Sequence, residues 1–206
     1  MDKQKAINFF AMLDRMKYIE RWSLMKNTER ENLKEHSFDV ILLVHALVEI
    51  RKAYFPDQKP RLDPGQAVLF ALYHDTSEII TGDLPTPVKY FNSELRQQYG
   101  LVEEYAADFL LSLLPDELEP GYRKFFKQDK LSETEAELKR FVKYADTLAA
   151  YIKCIRELKL GNKEFTEAAQ STYQKLLNYQ SPELDFFMAN ILPAYQLSLD
   201  QLQSPL

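Results

Sequence analysis

SETEAELKRFVKYADTLAAYIKCIRELKL, residues Ser132 to Leu160, carries apolar and charged residues with the period of a strongly amphipathic α-helix. Its ends agree with that reading. Ser132 followed three residues later by Glu135 forms a capping box, and Gly161 supplies a stop. Working outward, the rest of the chain has the same character: 46% of its 206 residues are hydrophobic, 28% are charged and only 5 are glycine. Leu, Ala, Glu, Lys and Gln fill long stretches, which favours helices over turn-rich β structure. The length suits one well-filled core and falls short of two full domains. An all-α, single-domain protein over residues 1–206 is predicted.

Further helices follow from apolar spacing and punctuation. Thr28 with Glu31 reads as a capping-type start to a helix through Leu33, Val40, Leu43, Val44 and Leu47 that ends before Pro56. A second helix is predicted from Asp63-Pro64 through Val68, Leu72 and Ile79 to Gly82, after which the prolines of DLPTP exclude helix. Tyr90 to Leu114 reads as a third, closed by Pro115. The segment from Pro115 to Ser132 mixes turn, aromatic and basic residues and shows no clear period. Helices from Lys163 to Tyr179 and after Pro182, the latter interrupted near Pro193, complete the chain.

Several function classes are disfavoured. The formal net charge of -5 is spread over both signs without long runs, so there is no footprint for a nucleic-acid polymer. The single cysteine, Cys154, excludes an intramolecular disulfide and a cysteine zinc cage, and reads as a buried, inert thiol. Nowhere do about 18 apolar residues run together, and the N-terminal patches are interrupted by Asp14 and Lys17. A cytoplasmic protein without a membrane segment is expected.

Titratable side chains then stand out against this apolar background. LYHDTSEIITGDLPTPVKYF, Leu72 to Phe91, places His74, Asp75, Glu78 and Asp83 within ten positions. Such groups are costly to desolvate, so the stretch is either a solvated face or a site. Of the three histidines, His45 in LLVHALVEI reads as a core histidine. His36 projects from the side of its helix that carries Leu33, Val40 and Leu43, and reads equally as structural or as a ligand. Asp146 tips the balance. Its helical neighbours are Val142, Ala149 and Ala150, so a carboxylate stands on an inward face and needs a cation or donors. His36, His74, Asp75 and Asp146 would together make a mixed nitrogen and oxygen site for one divalent transition ion.

These residues also resemble a known family. His36, the adjacent His74-Asp75 and the distant Asp146 resemble the metal-binding pattern of the HD-domain superfamily of phosphohydrolases, an all-helical fold. ERWSLM (Glu20 to Met25), ENLKEHS (Glu31 to Ser37), YHDTSEIITGDLPTPVKYFN (Tyr73 to Asn92), KYADTLAAYIKC (Lys143 to Cys154) and the ending YQLSLDQLQSPL look like the bacterial 5'-deoxynucleotidases of that superfamily. The resemblance implies hydrolysis of deoxyribonucleoside 5'-monophosphates, a homodimer, and a divalent ion such as cobalt or manganese. By it, His36, His74, Asp75 and Asp146 correspond to the metal ligands, with His36 and Asp146 also reaching substrate, and Glu78 corresponds to the catalytic acid/base. Asp83 matches a residue near the attacking water, while Arg21 and Trp22 match the pair that holds phosphate and sugar. An arginine fork suits a dianionic phosphate, and Trp22 against C2' would leave no room for a 2'-hydroxyl. Without the resemblance, Trp22 reads as a core or interface anchor. Lys89 reads as an exposed lysine or a further phosphate neighbour. Substrate contacts expected around Gln128 to Leu131 have no firm match. Two alternatives stand beside this: another HD phosphohydrolase, acting on nucleoside triphosphates, cyclic nucleotides or (p)ppGpp, and a non-enzymatic helical interaction domain with a structural metal. FFMANILPAY, Phe186 to Tyr195, is a possible dimer surface.

Overall fold

A computed structural model describes residues 7–85, 88, 91–127 and 131–203. Among them the regular elements are all helical: α1 (Phe9–Leu13), α2 (Leu33–Tyr54), α3 (Pro64–Tyr73), α4 (Glu78–Thr81), α5 (Ser93–Leu111), α6 (Glu119–Phe126), α7 (Glu133–Lys159), α8 (Thr166–Asn178), α9 (Pro182–Asn190) and α10 (Leu199–Leu202). Short 3-10 turns at Asp14–Tyr18, Lys163–Phe165 and Leu192–Gln196 connect them. One isolated antiparallel bridge joins Glu20 to Asn32. The described residues fall into two compact units, one drawn from residues 7–25, 30–37 and 72–131 and the other from 26–29, 38–71 and 132–203.

The first unit is built on Phe9, Leu110, Leu111 and Leu114, with Met12, Leu13, Tyr122 and Phe126 packed around them. Phe9 meets the rings of Tyr122 at 5.2 Å and Phe126 at 5.8 Å. Tyr73 stacks on Phe125 at 5.5 Å, which fixes the residue immediately before His74. Helix α6 lies where the sequence shows no clear period. Its Pro120 occupies the first turn, where a missing N–H costs nothing, so Pro120-Gly121 starts a helix rather than a loop.

The second unit centres on α7, whose Leu138, Phe141, Val142, Ala145, Leu148, Ala149 and Ile152 are buried together with Cys154. Its predicted capping box is present, with Ser132 Oγ accepting from the Glu135 N–H, and Gly161 at φ 84° ends it. Left-handed backbone there favours glycine. Arg51 of α2 donates to Glu137 of α7 at 2.8 Å and to Glu183 of α9 at 2.6 Å. Lys153 and Glu157 form a second buried ion pair at 2.5 Å. Glu157 also accepts the N–H groups of Thr28 (2.9 Å) and Glu29 (3.1 Å) and the amide of Asn162 (2.7 Å).

Four expectations are corrected. Thr28 does not cap α2, which begins only at Leu33; its N–H is held by Glu157 instead. Asn32 caps the helix: its side-chain oxygen accepts from Lys34 and Glu35 N–H at 3.0 and 3.1 Å, and Glu35 reaches back to the Asn32 N–H at 3.3 Å. His45 is exposed rather than in the core, because α2 buries Val40, Leu43, Val44, Leu47 and Val48, and one step past Val44 turns the side chain about 100° outward. The helix predicted from Pro64 to Gly82 breaks after Tyr73, where the Thr76 hydroxyl donates to the Tyr73 carbonyl at 2.9 Å and takes the acceptor a continuing helix would use. Asn92 caps α5 by accepting from the Leu95 N–H, so that helix starts later than Tyr90. No helix among the described residues is long and apolar enough to cross a membrane.

Candidate metal centre

His74 and Asp75 occupy the turn between α3 and α4. The turn is held by the Glu78 N–H donating to the Asp75 carbonyl at 3.0 Å and the Ile79 N–H to the Thr76 carbonyl at 3.2 Å. Breaking the helix here changes the argument for convergence: adjacent side chains in a tight turn are not bound to the 100° divergence of a regular helix. His74 Nε2 accordingly lies 2.9 Å from Asp75 Oδ2. His36, in the first turn of α2 and only 1% exposed, brings its Nε2 to 3.8 Å from the same carboxylate oxygen. The two imidazole rings are 5.7 Å apart.

The ligand atoms of His36, His74 and Asp75, all in the first unit, lie within 4.8 Å of one another. Asp146, on α7, accepts from Lys143 Nζ at 2.7 Å. Its carboxylate is partly exposed, so the inward face expected for it is the edge of the core rather than its centre. Imidazole nitrogens and carboxylate oxygens are donors that divalent transition ions accept, and three protein ligands would leave room for a further donor, water or a phosphate oxygen.

Glu78 begins α4 and is buried, 7% exposed. Helix α4 ends at Gly82, φ 73°, whose N–H returns to the Glu78 carbonyl at 2.8 Å. Asp83 follows in the half-buried segment before Pro85 and is not in the cluster of His36, His74 and Asp75. Tyr99 of α5 donates to Thr81 Oγ1 at 3.0 Å, tying α5 to this turn.

Arg21 and Trp22 sit just after the bridge that pairs Glu20 with Asn32. The Arg21 N–H donates to the Glu31 carbonyl at 2.9 Å, and its guanidinium Nε donates to Glu31 Oε1 at 3.0 Å. The other end of that guanidinium lies 3.7 Å from Asp75 Oδ2, so Arg21 reaches the ligand group. Trp22 has φ 56°, a left-handed conformation that a bulky side chain rarely adopts. Such outliers cost on the order of 1–3 kcal/mol and gather at functional sites. Lys89 and Gln128 to Lys130 lie outside the described residues. Glu31 is the one addition to the predicted set: it contacts both Arg21 and His36 Nδ1, the latter at 3.5 Å. No helical period points to it, because it precedes α2 and meets Arg21 only through the bridge.

A model of a family described as 5'-deoxynucleotidase YfbR-like matches residues 8–195. The chain belongs to this family. A 5'-deoxynucleotidase of Citrobacter koseri is 44% identical over 204 residues, covering 98% of this chain and all of that protein. One from Vibrio atlanticus is 41% identical over 198 residues, covering 96% and 99%. Among solved structures, an HD-domain phosphohydrolase from Listeria innocua superposes with a TM-score of 0.76 at 24% identity, over 96% of this chain and 92% of that one. The HD phosphohydrolase DatZ of cyanophage S-2L, solved with dA and one catalytic zinc ion, gives 0.63 at 21% identity, over 89% and 95%. The YfbR-like chain described here thus has the all-α HD fold.

Proposed function

We propose that the protein is a metal-dependent phosphomonoester hydrolase that converts 2'-deoxyribonucleoside 5'-monophosphates to deoxynucleoside and phosphate. The observation that carries this is the convergence of His36, His74 and Asp75 in a chain matched almost end to end by the YfbR-like family. With Asp146 of α7, those three would hold one divalent ion, with cobalt or manganese favoured. Such an ion, when bound, neutralises charge on phosphoryl oxygens and acidifies a water molecule.

The chain's own residues account for the rest of the reaction. Arg21, already oriented by Glu31 and lying beside Asp75, is the cation that would meet the phosphate dianion. Glu78 is placed one turn beyond Asp75, and its carboxylate takes the proton of the water whose oxygen attacks phosphorus. As the bond from phosphorus to O5' breaks, a proton reaches O5' and the deoxynucleoside leaves. Asp83, held by the Gly82 turn, positions the water or the sugar edge. The strained Trp22 packs on the sugar at C2', and apolar rejection of one hydroxyl is worth about a hundredfold, so deoxy selectivity is substantial and finite. His36 and Asp146 border the phosphate as well as the ion.

We also propose that the chain acts as one catalytic domain, as a homodimer in the cytoplasm. Within Phe186 to Tyr195, Phe187 and Leu192 are already buried by the chain itself, which leaves Met188, Ile191 and Tyr195 as the part a second copy would cover. Light scattering after gel filtration tests it. The function itself is tested by a panel of dNMPs, NMPs, dNTPs and a cyclic dinucleotide, assayed for phosphate and diphosphate with added cobalt or manganese. Phosphate from dNMPs, with NMPs turned over at least tenfold more slowly, is expected. Diphosphate from dNTPs or cleavage of the cyclic dinucleotide as the main activity would replace this reading with another HD chemistry.

A further inference from the structure

The Glu31 carboxylate touches two functional groups with one oxygen: Oε1 is 3.0 Å from Arg21 Nε and 3.5 Å from His36 Nδ1. Each contact leaves the far end of its partner aimed at Asp75. His36 Nε2 stands 3.8 Å and Arg21 Nη1 3.7 Å from Asp75 Oδ2. Glu31 is itself fixed on both sides. The bridge between Glu20 and Asn32 and the bond from the Arg21 N–H to the Glu31 carbonyl hold its backbone, and Asn32 then opens α2 toward His36. Its side chain is nearly buried, as are those of Arg21 and His36, so its charge is poorly screened.

We propose that Glu31 is a positioning residue that serves the metal ligand and the phosphate-binding arginine at once. A carboxylate facing Nδ1 favours the tautomer with the proton there, which leaves the Nε2 lone pair on the side of Asp75, where an ion would lie. The same oxygen fixes the guanidinium through Nε and so restricts the orientation of the end that stands beside Asp75, where a phosphate would approach. Glu31 thereby couples metal affinity to phosphate affinity without touching either ligand. The phosphate half of this rests on the reaction proposed above, and the metal half on the ion site proposed there.

The test uses Glu31→Gln, which keeps the volume, and Glu31→Asp, which keeps the charge but withdraws it by one methylene. Glu35→Gln is the control, since it alters the cap of the same helix and contacts neither Arg21 nor His36 in its side-chain bonds. Cobalt affinity of metal-stripped protein is measured by calorimetry without substrate, and KM and kcat for dAMP are measured at saturating metal. Glu31→Gln should weaken cobalt binding by about 10- to 100-fold, in line with the loss of such supporting partners elsewhere. It should also raise KM more than it lowers kcat, and Glu31→Asp should recover part of both. In an Arg21→Ala background the cobalt effect of Glu31→Gln should persist and its KM effect should vanish. Cobalt affinity unchanged in Glu31→Gln, or reduced equally by Glu35→Gln, overturns the proposal. If no dNMP is hydrolysed even by the unaltered protein, the function fails while the cobalt titration still decides the role of Glu31.

Discussion

Replacing Glu157 by glutamine should destabilise the protein by about 3 kcal/mol at neutral pH, and most of that difference should disappear in acid. The Glu157 side chain is 1% exposed, and burial alone would raise its pKa. Hydrogen bonds from Lys153, Asn162 and the Glu29 and Thr28 N–H groups outweigh burial and pull it from 4.5 to about 2. At about 1.36 kcal/mol per pH unit, that difference between unfolded and folded states is worth about 3 kcal/mol once the carboxylate is ionised in both. Because the folded pKa is the lower one, the contribution is complete above 4.5 and is lost as pH falls toward 2, with about half remaining at pH 3. Glutamine keeps an acceptor for the two N–H groups but leaves Lys153, 4% exposed, without a counter-charge. The assay is urea unfolding of both proteins between pH 3 and pH 7. A gap that stays constant with pH, or one below about 1 kcal/mol at pH 7, would refute the assignment of this carboxylate as a strongly depressed acid.

Other perturbations separate structure from chemistry. Glu78→Gln should retain cobalt binding by calorimetry and lose phosphate release from dAMP by about a hundredfold or more, the usual scale for a general base; near-normal turnover would remove it from the mechanism. Arg51→Met takes the guanidinium from buried Glu183, which keeps the Ser181 hydroxyl, and from Glu137, which keeps Arg140, and should cost about 3 kcal/mol in urea unfolding, with part recovered when both are also made glutamine. Tyr99→Phe removes the hydroxyl that donates to Thr81, so stability should fall by about 1 kcal/mol and KM for dAMP should rise, both read from one preparation by urea unfolding and steady-state kinetics.

Helical class was legible because α7 announces itself by period, capping box and terminal glycine, and those are local properties of the chain. What the sequence concealed was set by competition at a distance. Thr28 and Asn32 each stand three residues before a glutamate, yet Asn32 is the cap, and the Thr28 N–H is held by Glu157, far along the chain. His45 lies among apolar residues in the sequence, yet one position of helical rotation separates it from the buried stripe. The break after Tyr73 came from a single hydroxyl, Thr76, and it is this break that brings His74 onto Asp75. The cluster of His36, His74 and Asp75 was legible as titratable residue types with few other reasons to stand among apolar neighbours. Glu31 was not, since its two contacts depend on an isolated bridge that no spacing rule anticipates.

The central claim is that His36, His74, Asp75 and Asp146 make this chain a metal-dependent deoxynucleotidase. The direct measurement is phosphate release from dAMP by protein stripped with a chelator, before and after titration with cobalt or manganese. The account predicts no release from stripped protein, recovery that saturates near one ion per chain, and no recovery in Asp146→Ala. Full activity in stripped protein, or recovery that is indifferent to Asp146, would contradict it.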